Sequence, residues 1–132
     1  MKHLKRINES QQFQDDLKSY LAWLTDVGFR IDFQNEEQSY HIRIWKPVDI
    51  SKQDRYGYSN SKNFLWSEIS DELDRAFKMI SDDFDFDINY IYTIESSFTS
   101  SGYDRKFHTE EEFTNGLELQ SIKSFFISLK LL

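Results

Sequence analysis

The sequence contains no cysteine, a single proline and only four glycines among its 132 residues. Without cysteine the chain can form neither a disulfide nor a thiolate metal site. The glycines are scattered at positions 28, 57, 102 and 116, so no glycine-rich loop could cradle a phosphate. The spacings of a nucleophile elbow and of a zinc-protease helix are also missing. These absences remove familiar sequence signatures of an enzyme and favour a non-enzymatic protein.

No apolar run approaches the roughly 20 residues that a membrane-spanning helix needs. The basic start, Met1–Arg6, lacks the apolar segment of a secretion signal. With the lack of cysteine, this predicts a cytoplasmic protein without a membrane partner. The net charge of −7 and the pI near 4.9 make nucleic acid an unexpected partner and permit a basic one. Nothing in the sequence indicates a cofactor.

What the chain does contain is aromatic residues, which make up 17% of it as twelve Phe, seven Tyr and three Trp. A chain of this length fits one domain and can bury a core unaided. A helix-strand-strand pattern occurs twice, in pseudo-repeat halves at about residues 10–46 and 64–132. We therefore predict a single α+β domain over residues 1–132.

Two segments have the apolar spacing of an amphipathic helix. The first helix is expected from about residue 10 to Val27, where Gly28 would adopt the left-handed conformation that ends it. The stripe of the first helix is Phe13, Leu17, Tyr20, Leu21, Leu24 and Val27, and that of the second is Ile69, Leu73, Ala76, Phe77 and Ile80.

Four segments alternate like strands: 29–34, 40–46, 84–95 and 122–131. The third alternates over twelve residues, which predicts that one set of side chains is buried: Phe84, Phe86, Ile88, Tyr90, Tyr92 and Ile94. Residues 96–120 show no firm pattern beyond a short strand near Tyr103–His108 and a turn at Asn115-Gly116.

These parts predict a two-layer sandwich, an antiparallel sheet of about four strands with two helices on one face. The order α-β-β-α-β-β matches a circularly permuted ferredoxin-like fold. It also matches a duplicated helix-hairpin in which each hairpin keeps to its own half of the sheet. The sequence leaves both arrangements open.

If one sheet face packs under the helices, the other face is open and can be identified by parity along each strand. It mixes cations, carboxylates and exposed aromatic residues, and Arg with exposed aromatic residues is typical of the energetic centre of a protein interface. The candidate partner-binding residues on this face are Arg30, His41, Arg43, Trp45 and Phe126. An ordinary solvated face with cross-strand ion pairs is the alternative interpretation.

The same face suggests a second chemistry. Asp32, His41, Asp85 and Asp87 could form a metal-assisted hydrolase site or bind a small ligand, because hard cations prefer oxygen ligands and His can act as a base. His108, which precedes three glutamates, is a further candidate ligand or base. Surface carboxylates and histidines without a shared role are the alternative interpretation of both sets.

A third hypothesis is a homo-oligomeric structural protein. Exposed strand edges pair readily with a second copy of the same strand. The expected edges are Tyr40–Lys46 or the C-terminal strand.

The opening residues Met1–Glu9, Met-Lys-His-Leu-Lys-Arg-Ile-Asn-Glu, resemble the start of many small uncharacterised accessory proteins of tailed bacteriophages. The turn at Asp26–Phe29 and the pattern Phe-x-Trp-x-Glu-Ile at Phe64–Ile69 are similar to elements of the same group. The likeness covers short pieces of the first half and departs from the group at Ile7. It implies a phage accessory protein in the host cytoplasm, with no established activity to carry over. The leading hypothesis is therefore a small protein-binding accessory protein that acts on a host or phage protein.

Overall fold

A computed structural model describes residues 2–36, 39–47, 61–99, 102–116 and 121–132. Its helices are α1 at Lys2–Asp26, α2 at Ser70–Asp83 and α3 at Glu110–Asn115, and a 3₁₀ turn lies at Trp66–Glu68. Its strands are β1 at Arg30–Glu36, β2 at Ser39–Pro47, β3 at Ser61–Lys62, β4 at Phe86–Thr99, β5 at Gly102–His108 and β6 at Ser124–Leu131. The predicted α+β class with an antiparallel sheet is confirmed.

The sheet has one more main strand than expected. Five strands follow one another in the order β1-β2-β6-β4-β5, every neighbouring pair antiparallel, and β3 pairs with the end of β2. The predicted element order α-β-β-α-β-β is wrong, because β5 and α3 lie between β4 and β6. Neither predicted arrangement included them. The predicted edges are also wrong, since β2 and β6 are interior strands and β1 and β5 are the outer ones.

The first helix begins at Lys2 rather than near residue 10. The Lys, Leu, Arg, Glu and Gln residues of its early turns are good helix formers, so the residues before position 10 are helical too. The cap at Gly28 is as predicted. Gly28 has a φ of 100°, and its N–H donates to the carbonyl of Thr25 at 3.2 Å. The N–H of Phe29 donates to the carbonyl of Leu24 at 2.9 Å, which completes a Schellman motif and starts β1.

The core lies between the sheet and the helices. The two long helices each bury one stripe of apolar side chains: Phe13, Leu17, Leu21 and Leu24 from α1, and Leu73, Ala76, Phe77 and Ile80 from α2. Alternate residues of the central strands face them, namely Tyr40, Ile42 and Ile44 from β2 and Phe125, Ile127 and Leu129 from β6. Val27, expected in the first stripe, lies beyond the helix end and is exposed. Phe113 of α3 packs on Trp66, Phe77 and Phe125, so α3 joins the same layer.

A β-bulge interrupts the strand whose alternation looked most regular. Ile88 pairs with Leu129 and Tyr90 pairs with Ser128, so β4 has one residue too many between these pairs. A bulge of this kind shifts every later side chain to the opposite face. The prediction that Tyr90 and Tyr92 share a face with Phe86 and Ile88 is therefore wrong. Ile91, expected in solvent, is 1% exposed and faces the helices.

The region without a firm pattern is partly regular. The short strand expected near Tyr103–His108 is present as β5. The expected turn falls at the end of α3, where Gly116 has a φ of 96°. The polar segment at residues 47–63, which the sequence predicts to be a loop longer than the usual connection, lies mostly outside the described residues. Among the helices that are described, none has the length and apolar character needed to cross a membrane.

Candidate functional site

The five predicted partner-binding residues lie together on the sheet face opposite the helices. Arg30 pairs with Trp45 across β1 and β2, and Arg43 pairs with Phe126 across β2 and β6. Paired residues on neighbouring strands project from the same face. His41 lies two residues before Arg43 and shares its parity. All five side chains are half-buried, so they lie at the surface without being fully solvated.

The bulge and the extra strand add residues that the sequence analysis missed. Tyr92 pairs with Phe126 on one side and with Phe107 of β5 on the other. Tyr90 and Phe107 are 40% and 62% exposed. The sequence offered one signal for this, since the alternation with polar residues stops after Asn89, where Tyr90, Ile91 and Tyr92 follow one another without a break.

Tyr90, Tyr92, Phe107 and Phe126 form a continuous group of rings, and Arg43 links Trp45 to it. The five residues are here called the aromatic array. Tyr92 is its centre. The ring of Tyr92 stacks on Phe126 with centroids 4.4 Å apart and an interplanar angle of 14°. It also contacts Tyr90 at 6.0 Å and Phe107 at 5.3 Å. Such pairs stabilise one another by about 0.5–1.5 kcal/mol beyond their buried area, which gives the surface a fixed shape.

Two arginines lie on the array. The guanidinium carbon of Arg43 is 4.1 Å from the ring centroid of Trp45 and 5.8 Å from that of Phe126. The guanidinium carbon of Arg105 on β5 is 5.1 Å from the centroid of Tyr92. A guanidinium over an aromatic face is attracted by the negative face of the ring. These contacts hold two positive charges at the surface of an apolar patch.

A groove of about 700 Å³, here called the sheet groove, crosses this face. Rings from the aromatic array line one part of it, and carboxylates and amides of β1 line another. The residues that matter for its chemistry are Asp32, Glu36, His41, Arg43, Tyr90, Tyr92 and Phe126. The groove therefore combines apolar ring surface with groups of both charges.

His41 links the two sides of the sheet groove. Its Nδ1 and the hydroxyl oxygen of Tyr90 are hydrogen-bonded at 3.1 Å. Its Nε2 lies 3.5 Å from a carboxylate oxygen of Glu36, an ion pair that is charged only when the imidazole is protonated. Through these contacts His41, on β2, links Glu36 of β1 to Tyr90 of β4.

The alternative metal set is not brought together. Asp32 lies on β1 and His41 on β2, whereas Asp87 lies on β4, beyond β6, and pairs there with Lys130. Asp85 precedes β4. Within the part of the chain that the structure describes, no group of three or more His, Cys, Asp or Glu side chains could hold a metal ion.

His108 lies in a buried polar chain. Its Nε2 is hydrogen-bonded to the hydroxyl of Thr93 at 2.8 Å, and its Nδ1 lies 3.5 Å from a carboxylate oxygen of Glu112. This order matches a hydroxyl nucleophile, a base and an orienting carboxylate. Thr93 is 0% exposed and the His108 side chain only 2%, so no substrate reaches the hydroxyl in this conformation. The chain links β4, β5 and α3 instead of forming an open site.

Glu112 also caps α3. Its carboxylate accepts from the backbone N–H of Thr109 at 3.2 Å, while the Thr109 hydroxyl accepts from the N–H of Glu112 at 3.1 Å. The Thr109 N–H lowers the pKa of Glu112 below its ordinary value, and the nearby His108 imidazole and the Thr109 hydroxyl lower it further. Glu112 is therefore ionised at neutral pH and serves the cap.

Comparison with known proteins adds no assignment: no family model, no curated protein and no solved structure matches this chain.

Proposed function

We propose that this protein is a small non-enzymatic binding protein that docks a partner protein on the open face of its sheet. One observation carries the proposal. The aromatic array and its two arginines lie on the face opposite the helices, with Tyr90 and Phe107 well exposed. Exposed rings of this size have no role in the core and are a hydrophobic surface that a partner can bury.

The composition of this face favours a protein partner. Trp, Tyr and Arg are the residues most enriched where interface free energy concentrates. Arg43 with Trp45 and Arg105 with Tyr92 supply these types in preformed pairs. Because the rings already pack against one another, the side chains of this surface lose little conformational entropy when a partner binds.

The N-terminal resemblance supplies the setting of the proposal. In that setting the protein is a phage accessory protein, its location is the cytoplasm of the bacterial host, and the partner is a host or phage protein. The acidic chain, with a net charge of −7, suits a partner with basic groups at its interface.

Two other functions have less support. A metal-assisted hydrolase would need Asp32, His41, Asp85 and Asp87 in one place, and β6 separates β4, with Asp85 and Asp87, from Asp32 on β1 and His41 on β2. A homo-oligomer would have to pair through β1 or β5, the outer strands, or bury the open face against a second copy. Light scattering on the purified protein separates that outcome, because a monomeric mass removes it.

The test is an affinity capture from host lysate followed by mass spectrometry. The wild type is compared with Arg43→Glu/Trp45→Ala, which changes one cation and one ring of the open face. A matched control, Trp23→Ala/Lys78→Glu, changes an exposed ring and an exposed cation on the helical layer. We expect a protein that the wild type and the control retain and the open-face variant loses.

Direct binding of the purified partner must then show the same order of affinities. Circular dichroism establishes that both variants are folded. A partner retained equally by all three proteins, or lost only by the helical-layer control, would contradict docking on the open face.

A further inference from the structure

We infer that the sheet groove takes a lysine or arginine side chain of the partner protein. This inference rests on the proposed function and names the chemistry of the contact. Asp32 and Glu36 line the β1 side of the groove, and Tyr90, Tyr92 and Phe126 line the rest. Carboxylates beside aromatic faces are the two kinds of group that attract a cationic side chain.

The carboxylates are available for such a contact. Asp32 has no ion pair with any residue that the structure describes, although it pairs in register with Arg43. Glu36 is in contact with His41 alone among the described cationic side chains. Neither carboxylate is therefore neutralised by a lysine or arginine within the described ranges.

Arg43, the arginine that lines the groove, lies against Trp45. The guanidinium carbon of Arg43 lies 4.1 Å from the ring centroid of Trp45, the residue that pairs with Arg30 one row further along the sheet. Around Asp32, Glu36 and Tyr90 the groove presents acceptor oxygens, ring surface and the imidazole of His41, which contacts both Glu36 and Tyr90. That part suits a cation from outside.

The dimensions fit a long side chain. Three strand-to-strand steps separate β1 from β4, and at about 4.8 Å a step the groove is roughly 14 Å across. Asp32 and Glu36 are roughly 13 Å apart along β1, so a lysine or arginine can place its charged end at one of them while its aliphatic stem lies over β2 toward the rings.

The charge of the whole chain selects the same class of ligand. At a net charge of −7 the protein attracts basic segments and repels acidic peptides and phosphate backbones. The exposed rings of Tyr90 and Phe107 could also stack nucleobases. A single-stranded oligonucleotide therefore belongs in the test as the competing ligand.

The test uses the full chain and short capped Gly/Ser peptides that carry several lysines, several arginines or several glutamates, with oligo-dT as a further probe. Binding is followed by NMR shifts of the Tyr90 and His41 ring resonances. The groove variant is Asp32→Asn/Glu36→Gln. The control, Asp74→Asn/Asp82→Asn, removes the same charge from exposed positions of α2.

We expect the lysine and arginine peptides to shift these resonances, and the groove variant to weaken their binding by roughly tenfold. The control should stay within about twofold of the wild type, because screened charges on the far layer contribute little. An equal loss in both variants would mean unspecific attraction and overturn the inference. Preferential binding of the glutamate peptide or of oligo-dT would overturn it too.

Failure here is distinguishable from failure of the proposed function. If the captured partner is lost by Arg43→Glu/Trp45→Ala and retained by Asp32→Asn/Glu36→Gln, the docking face stands and the cation groove does not.

Discussion

Phe125 and Phe126 are neighbours on β6, yet their surroundings have little in common. Phe125 is fully buried under the helical layer. Its ring centroid lies 5.3 Å from that of Trp66 and 6.1 Å from that of Phe113. Phe126 stacks on Tyr92 at 4.4 Å on the opposite face, with the guanidinium of Arg43 nearby. The two faces of the sheet use the same residue type for different purposes.

The difference lies in what surrounds the rings. On the helical face most of the rings are buried, packed on one another and on the apolar side chains of α1, α2 and the sheet. On the open face the rings stack on one another or meet at an angle, and Arg43, Arg105 and His41 lie against them. A ring on the helical face stabilises the fold, and a ring on the open face mostly shapes a surface.

The largest effect that tests this contrast is expected at the bulge. Ile91→Asp places a carboxylate among buried side chains, and it should lower the free energy of unfolding by more than about 4 kcal/mol. Tyr90→Asp, one residue earlier and on the open face, should cost about 1 kcal/mol. Urea unfolding measures both. The reverse order would mean that β4 alternates without a bulge.

The neighbouring phenylalanines give the next largest difference. Phe125→Ala removes a fully buried ring and should cost about 3–5 kcal/mol in urea unfolding. Phe126→Ala should cost roughly 1–2 kcal/mol, because its ring is only half-buried, and should instead weaken partner binding. Equal destabilisation by the two changes would count against a difference between the faces.

A hydrogen bond on the helical face should also contribute more to stability than one on the open face. Thr93→Val deletes the hydroxyl that contacts His108 Nε2 at 2.8 Å inside the core, which should cost about 1–3 kcal/mol because a buried nitrogen loses its partner. Tyr90→Phe deletes the hydroxyl that contacts His41 at 3.1 Å, where water can replace it. Thermal melts should show the second change to be within about 0.5 kcal/mol of the wild type.

The smallest expected effect is at Glu68, in the 3₁₀ turn. The carboxylate of Glu68 accepts from the backbone N–H of Leu65 at 2.8 Å, which lowers its pKa below 4.5, and Lys46 at 3.2 Å lowers it further. Glu68→Gln should cost about 0.5 kcal/mol or less at pH 7, because the pair is partly exposed.

The sign of the pH dependence follows from that lowered pKa. The stabilisation by Glu68 is fully present above its unfolded pKa of about 4.5 and is lost as the pH falls through the lower folded pKa. Wild type and Glu68→Gln should therefore converge in stability as the pH drops below about 4.5. A gap that widens on acidification would contradict this assignment.

The candidate site was predictable only in part. The five predicted residues lie on β1, β2 and β6, which pair without a register shift, so simple parity placed them on one face. They are Arg30, His41, Arg43, Trp45 and Phe126. Tyr90 and Tyr92 follow the bulge, where parity gives the wrong face. Phe107 lies on β5, a strand that was expected, although its pairing with β4 was not.

The amino-acid sequence by itself determined the local structure: the apolar stripes of α1 and α2, the Gly28 cap, the alternation of β2 and β6 and an acidic, cysteine-free chain. These follow from side-chain spacing and backbone preference, which act over a few residues. Only the tertiary structure decided the strand order, the bulge at Asn89 and the faces of Tyr90 and Tyr92. Those depend on pairing between residues distant in the chain, such as Tyr92 with Phe126, and the pairing that buries most apolar surface outweighs a regular local pattern.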